Sequence, residues 1–210
     1  MALRLVPATR EGISFLESLE RKSGKGDYLN SGVVPKNNHR DALTEISGFK
    51  AGYGAHELIG PIDENFVYYE LTMPEGCRST RPHVHPKGEW SRVRQGGYRD
   101  TDKNGKTLVG VDGKPLVYRE GDIVIYPRGS LHRPLTEEGV EIVKIEFTAF
   151  GGFREIKSAS SSALACFLIE TDVPENAAEY VAEYFFPDEP AKRQRIIDGF
   201  LNPESLMADD

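Results

Sequence analysis

The sequence predicts a mainly-β domain: an antiparallel sandwich or barrel with helical ends. Three observations predict it. Short aromatic and β-branched runs recur between residues 66 and 150. Asp-Gly and Asn-Gly turn dipeptides separate several of these runs. Apolar residues at helical spacing are confined to the two ends of the chain. At 210 residues the chain is long enough for one well-buried core.

Residues 10–22 (REGISFLESLERK) place Ile13, Leu16 and Leu19, with Phe15, on one apolar stripe, and Thr9 stands where an N-cap belongs. Ser23 to His39 is rich in Gly, Asn, Ser and Lys and reads as a long connection, an arm or a lid over the core. Phe66–Met73 (FVYYELTM) reads as a strand, broken by Pro74-Glu75-Gly76. Arg92–Arg99 is a further strand. Thr107–Val111 and Leu116–Arg119 flank Asp112-Gly113 as a hairpin, and Asn104-Gly105 is a second turn of that type. Asp122–Tyr126 and Val140–Thr148 complete the set.

The last segment turns helical. Asp172 or Thr171 can cap a helix with Pro174 and Glu175 in its first turn, running to about Phe186. A second helix, Ala191–Leu201, offers Ile196, Ile197, Phe200 and Leu201 for packing on the barrel or on a partner subunit. The organisation expected is an N-terminal helix and arm (1–65), a barrel core (66–150) and a C-terminal extension (151–210) within one domain.

Composition narrows the function. Hydrophobic content of 39% and charged content of 28% are ordinary for a globular domain, and the net charge of −7 offers no basic footprint for nucleic acid. No stretch has the apolar length of a membrane span or a secretory leader, so a soluble cytoplasmic protein is expected, with no membrane partner. The two cysteines, Cys77 and Cys166, suit small buried thiols in a reducing compartment.

The chemistry concentrates in His83-x-His85-x3-Glu89, answered by His132 in a later segment. Histidines two apart on a strand face the same side, and Glu89 shares their parity. Pro86 and Gly88 bend the chain between them, so Glu89 is expected to start the next strand. Three imidazoles and a carboxylate can close around one divalent ion. Only five histidines occur in the chain, and His39 and His56 stand outside this pattern, where surface or core roles are the ordinary ones.

The segments His83-x-His85-x3-Glu89-x6-Gly96 and Gly121-x5-Pro127-x-Gly129-x2-His132 resemble the two sequence motifs of the cupins. Two positions depart from that pattern: Cys77 stands where the first motif has a glycine, next to Gly76, and Thr136 stands where the second usually ends in asparagine. The resemblance covers residues 76–136. It implies a double-stranded β-helix, a jelly-roll-like barrel, with a metal bound inside by His83, His85, Glu89 and His132, and it implies frequent dimerisation, so a homodimer is expected.

One divalent transition metal per chain is therefore expected. Ligand type does not choose among Fe2+, Mn2+, Ni2+, Zn2+, Co2+ and Cu2+. Around the ligands, Arg81, Arg92, Arg94 and Arg128 are the candidate substrate-binding residues, a guanidinium being suited to a carboxylate or phosphate; the alternative for Arg92 and Arg94 is a solvated outer face. Val140–Thr148 alternates, with Val143, Ile145 and Phe147 on one face and Lys144 and Glu146 on the other. If the second face looks into the barrel, Lys144 and Glu146 are acid–base candidates beside the metal; if it looks out, they form an ordinary cross-strand charge pattern. Tyr126, with Tyr68, Tyr69 and Tyr98, adds a phenol donor or a core aromatic.

These readings lead to a metal-dependent enzyme acting on a small, oxygen-rich molecule. An Fe2+-dependent dioxygenase asks least of the surrounding residues. A sugar or organic-acid isomerase or lyase, and a non-catalytic ligand-binding or sensing protein, are the alternatives.

Overall fold

A computed structural model describes residues 1–6, 8–23, 55–58, 66–78, 83–101, 106–109, 113–150, 154–155 and 169–202. In chain order its elements are β1 (Ala2–Leu5), α1 (Arg10–Ser23), β2 (Ala55–Leu58), β3 (Phe66–Pro74), β4 (His83–Val84), β5 (Glu89–Gln95) and β6 (Gly97–Asp100). There follow β7 (Val117–Arg119), β8 (Ile123–Tyr126), β9 (Pro134–Thr136), β10 (Ile142–Phe150), β11 (Arg154–Glu155), β12 (Ile169–Asp172), α2 (Ala177–Phe185) and α3 (Pro190–Leu201).

One sheet runs in the order β12-β1-β8-β5-β10-β3-β2. Facing it are β7-β6-β9 and β11-β4, which isolated bridges at His83↔His132 and Arg78↔Leu135 tie together. Between β3 and β10 the chain changes sheet at every step except the β6–β7 hairpin. Two antiparallel ribbons therefore wind together, which is the double-stranded β-helix.

The first sheet is covered on both faces. Between the sheets lie Leu71, Met73, Val93, Val143, Ile145 and Phe147, packed against Leu116 and Tyr118 of the second. On the far face Trp90, Ile123, Ile125 and Phe150 pack under Val181, Ala182, Ile196 and Phe200 of α2 and α3. This is why β8 reads Ile-Val-Ile-Tyr with no polar alternation: each of its residues is buried. Helix α1 covers the β4 region instead, where Leu16 meets Val84 and Leu131.

The helix expected over 10–22 forms, and the Thr9 hydroxyl caps it by accepting the Gly12 amide at 3.0 Å. The strand expected over Arg92–Arg99 is two strands, divided at Gly96 where the chain crosses from one sheet to the other. Leu116 and Leu108 are hydrogen-bonded as a hairpin requires, and Val117–Arg119 pairs with β6; Asn104-Gly105 and Asp112 lie outside the described residues, as does the connection over 24–39 with His39. The expected helix after Asp172 begins at Ala177, and α3 follows the second expectation closely, with Ile196 and Phe200 buried and Leu201 exposed.

Strands β1, β2, β9, β11 and β12 carry too few residues to show a period in the sequence. Strand β1 is held by its neighbours, parallel to β8 and antiparallel to β12. Among the described residues no helix is long and apolar enough to cross a membrane.

Candidate metal centre

The alternation of sheets delivers the four expected ligands to one place. His83 and His132 exchange backbone hydrogen bonds of 3.2 Å each across the second sheet, so their side chains stand together. His85, two residues on, shares the face of His83. The chain then turns, with the Gly88 amide reaching the His85 carbonyl at 3.4 Å and the Lys87 amide reaching the Phe150 carbonyl at 3.1 Å. Gly88 takes φ +99°, and a Cβ there would stand 2.8 Å from the Tyr126 carbonyl oxygen. That turn brings Glu89 into β5, with its side chain back toward the histidines.

His132 is reached through a second special turn. Gly129 takes φ +80°, and a Cβ on it would lie 2.6 Å from Ile13 of α1. Thr9 braces the same turn, its amide and its hydroxyl both donating to the Gly129 carbonyl at 3.1 Å. The N-terminal helix thus positions the segment that carries a ligand.

The four side chains are buried, and one ligand atom from each lies within 4.8 Å of the others. Glu89 Oε2 is 2.7 Å from His85 Nε2 and 3.8 Å from His132 Nε2. His132 Nδ1 lies 3.1 Å from the Ser130 carbonyl; it carries the proton to that oxygen and leaves Nε2 turned to the cluster. Burial pushes the Glu89 carboxyl up, but His85 and His132 outweigh it and hold the group well below the ordinary carboxylate range. Burial lowers His132 in turn, and the hydrogen bond and charge of Glu89 reverse that, leaving the imidazole raised. The donor set and its convergence fit a single divalent ion.

Beside the ligands lies a polar network that the sequence shows only in part. The Tyr126 ring stacks on His132 with centroids 4.2 Å apart. Its hydroxyl donates to Asp100 Oδ2 at 2.8 Å, and Tyr118 donates to the same oxygen at 3.0 Å. The Tyr98 and Tyr126 hydroxyls are 3.0 Å apart, and Ser91 Oγ is 3.3 Å from that of Tyr98. Burial, and next the nearby Asp100 charge, push the phenols of Tyr98, Tyr118 and Tyr126 well above their ordinary value, so they act as neutral donors. Asp100 is the residue missed. Its only signal is parity: Tyr98 and Asp100 share a face of a strand whose register was not visible.

Of the remaining candidates, Tyr126 stands at the cluster. Lys144 and Glu146 do not, and the reading that placed them beside the metal is corrected. Strand β10 turns Val143, Ile145, Phe147 and Ala149 into the core, so its other face looks away. There Glu146 accepts hydrogen bonds of 2.7 and 3.0 Å from Arg92, and Lys144 lies 3.7 Å from Glu70. Arg92 and Arg94 share that outer side, Arg94 reaching Glu146 at 3.6 Å, so neither clamps a molecule at the cluster. Arg128 donates to the Pro86 carbonyl at 3.1 Å and steadies the loop between His85 and Glu89. Arg81 lies outside the described residues. Thr136, the departure in the second motif, donates to the Pro74 carbonyl at 2.8 Å and ties β9 to the end of β3.

No protein-family model and no curated protein matches the chain in sequence. Solved structures resemble it in fold. A sugar phosphate isomerase of the cupin superfamily from Silicibacter pomeroyi is 13% identical, with 54% of this chain and 74% of that one covered and a TM-score of 0.40. An RmlC-like cupin with a double-stranded β-helix fold from Methanocaldococcus jannaschii is 18% identical over 49% of this chain and 84% of that one, at TM-score 0.35. A cupin-like protein from Thermotoga maritima is 21% identical over 60% and 83%, at 0.38. A protein from Acidithiobacillus ferrooxidans is matched over 60% of its own length, so the chain spans less than two thirds of it. What fixes the architecture is internal to the chain: with strands that alternate between two sheets and two motif segments that meet at one buried His83–His85–Glu89–His132 cluster, it has the cupin fold.

Proposed function

We propose that the chain is a metal-dependent enzyme acting on a small, oxygen-rich polar molecule at an ion held by His83, His85, Glu89 and His132. The observation that carries this reading is the convergence of four buried ligand atoms within 4.8 Å. When bound, a divalent ion there supplies Lewis acidity, and Fe2+ adds redox chemistry with dioxygen. The chain's own residues orient and shield. His132 is fixed by the Ser130 carbonyl, Arg128 and Thr9 steady the two ligand loops, and Tyr126 closes one side by stacking.

Within this class an Fe2+-dependent dioxygenase is the finer reading. Lys144 and Glu146, the acid–base pair a proton-transfer reaction would have used, lie on the other side of the sheet, and a dioxygenase needs neither. A second reading, an isomerase or lyase of a sugar or organic acid, is favoured by one observation: the buried Asp100 carboxyl, held by two phenols, is an acid–base group close to His132.

Anaerobic reconstitution with Fe2+ followed by an oxygen-electrode screen of diketones, catechols and thiols separates the two. Oxygen uptake with one class supports the dioxygenase. Absence of uptake, together with solvent-deuterium exchange into a hydroxy-ketone or aldose, supports the isomerase. An ion-loaded protein that binds such molecules and turns none over is a binding protein, and the enzyme reading fails.

A further inference from the structure

The Asp100 carboxyl group is buried, with 1% of its surface exposed, and it is used unevenly. Oδ2 accepts from two phenols, whereas Oδ1 is buried and has no hydrogen-bond partner. A buried carboxylate oxygen left without a donor is costly, so the arrangement calls for one. The missing donor has a place to come from. One hydrogen bond and one stacked ring separate this carboxylate from His132, and both His132 and Glu89 are near enough to act on its charge.

Resting on the reading above, we infer that Asp100 is a ligand-binding residue of the same site: its free Oδ1 accepts a hydrogen bond from a hydroxyl group of the molecule whose other end is bound at the His83–His85–Glu89–His132 cluster. Two features give this subsite its selectivity. Tyr118 and Tyr126 occupy Oδ2 and hold the carboxylate still, so a ligand donor meets a preoriented acceptor. A distal carboxylate or phosphate would bring a second acidic group against this buried carboxyl, which disfavours it at that end. The substrate class is then a small molecule with an anionic or carbonyl oxygen at the cluster and a neutral hydroxyl at its far end.

The test is calorimetric titration of the full-length Zn2+-loaded protein with acids of three to five carbons. Each length is offered in three forms: unsubstituted, ω-hydroxy and ω-methoxy. At one chain length the hydroxy acid should bind about tenfold tighter than the unsubstituted acid, while the methoxy acid, which cannot donate, should gain nothing. In Asp100→Asn, which keeps an oxygen for the phenols and turns an amide donor toward the ligand, the hydroxy-over-methoxy preference should fall to near unity, because either oxygen can then accept, with metal content unchanged. The inference is overturned if no length prefers the hydroxyl, if the methoxy acid binds equally well, or if the preference survives in Asp100→Asn, as it would were Oδ1 merely seated on a structural water. The wild-type comparison stands even if the variant fails to fold. A wild type that takes up no metal sinks the metal reading and this inference together, whereas a metal-loaded wild type without the preference sinks this one alone.

Discussion

Two carboxylates on opposite sides of one sheet meet the same problem and solve it differently. Glu89 looks between the sheets and Glu146 looks out under α3, and both are almost wholly buried, at 6% and 3% exposed. Burial pushes each carboxyl group up. At Glu146 the counter-charge is the guanidinium of Arg92, which also donates to the Phe200 carbonyl at 2.8 Å and stacks 4.2 Å from the Phe200 ring. That cation stays in place: even lowered to about 10 by burial and by Arg94 beside it, Arg92 is charged at neutral pH. At Glu89 the counter-charge comes from His85 and His132, whose ring nitrogens can instead ligate a cation. A permanent partner makes a structural clasp, whereas an exchangeable one leaves the carboxylate open to an outside cation.

The largest expected effect would break the inner side of this comparison. His132→Ala removes one of four ligands, and the ion should fall from about one per chain to near none, a loss of more than ~100-fold in affinity. Metal analysis after dialysis checks it, and a variant that keeps its ion would refute the assignment. The same side has a pH signature. Burial lowers the His132 imidazole, but the hydrogen bond and charge of Glu89 leave it raised, so protons compete with an ion for this ligand. Ion affinity should therefore rise with pH across the imidazole range, with protons released on binding, and a pH-independent affinity would contradict exchange at Glu89.

The outer side is tested by removing its permanent cation. Arg92→Met removes the nearer of the two guanidinium groups beside buried Glu146, 2.7 Å away against 3.6 Å for Arg94, and should cost about 3 kcal/mol in urea unfolding of the metal-loaded protein. Metal content should not change, because β5 turns Arg92 away from the cluster. Pairing the change with Glu146→Leu should recover most of that loss, since an apolar pair of similar volume suits a buried position. If Arg92→Met released the ion, the two faces would be coupled through β5 and the comparison would have to be redrawn.

How much of this was legible in the sequence follows the same division. The four ligands could be read because parity and motif spacing are local, and both turns announce themselves by Gly88 and Gly129. The inward face of β10 could be read as the apolar one, which already argued against Lys144 and Glu146. Their roles could not be read, because the partners are distant: Arg92 is 54 positions from Glu146, and Phe200 is 108 from Arg92. Asp100 was hidden for a related reason. Its partners Tyr118 and Tyr126 come from two other strands, and β6 has only four residues to show a register. Strand β1 is legible only after folding, since Asp122 holds it by accepting the Ala2 amide at 2.7 Å.

The smallest effect sharpens the comparison most finely. Lys144 belongs to the same outer face as Glu146 but is 41% exposed, and its contact with Glu70 is 3.7 Å across water-accessible surface. An ion pair of that kind is worth little, because solvent screens it and holding two long side chains costs entropy. Lys144→Ala should therefore change unfolding stability by less than ~0.5 kcal/mol and leave metal content and turnover at the wild-type level. Activity measured beside metal content is the check. If activity fell while the ion stayed, a group beyond the sheet would be reaching the reaction, and the outer face could no longer be described as scaffold. If activity is kept, charge on this face matters only where it is buried, as at Arg92 and Glu146, and proton transfer at the cluster is left to groups between the sheets.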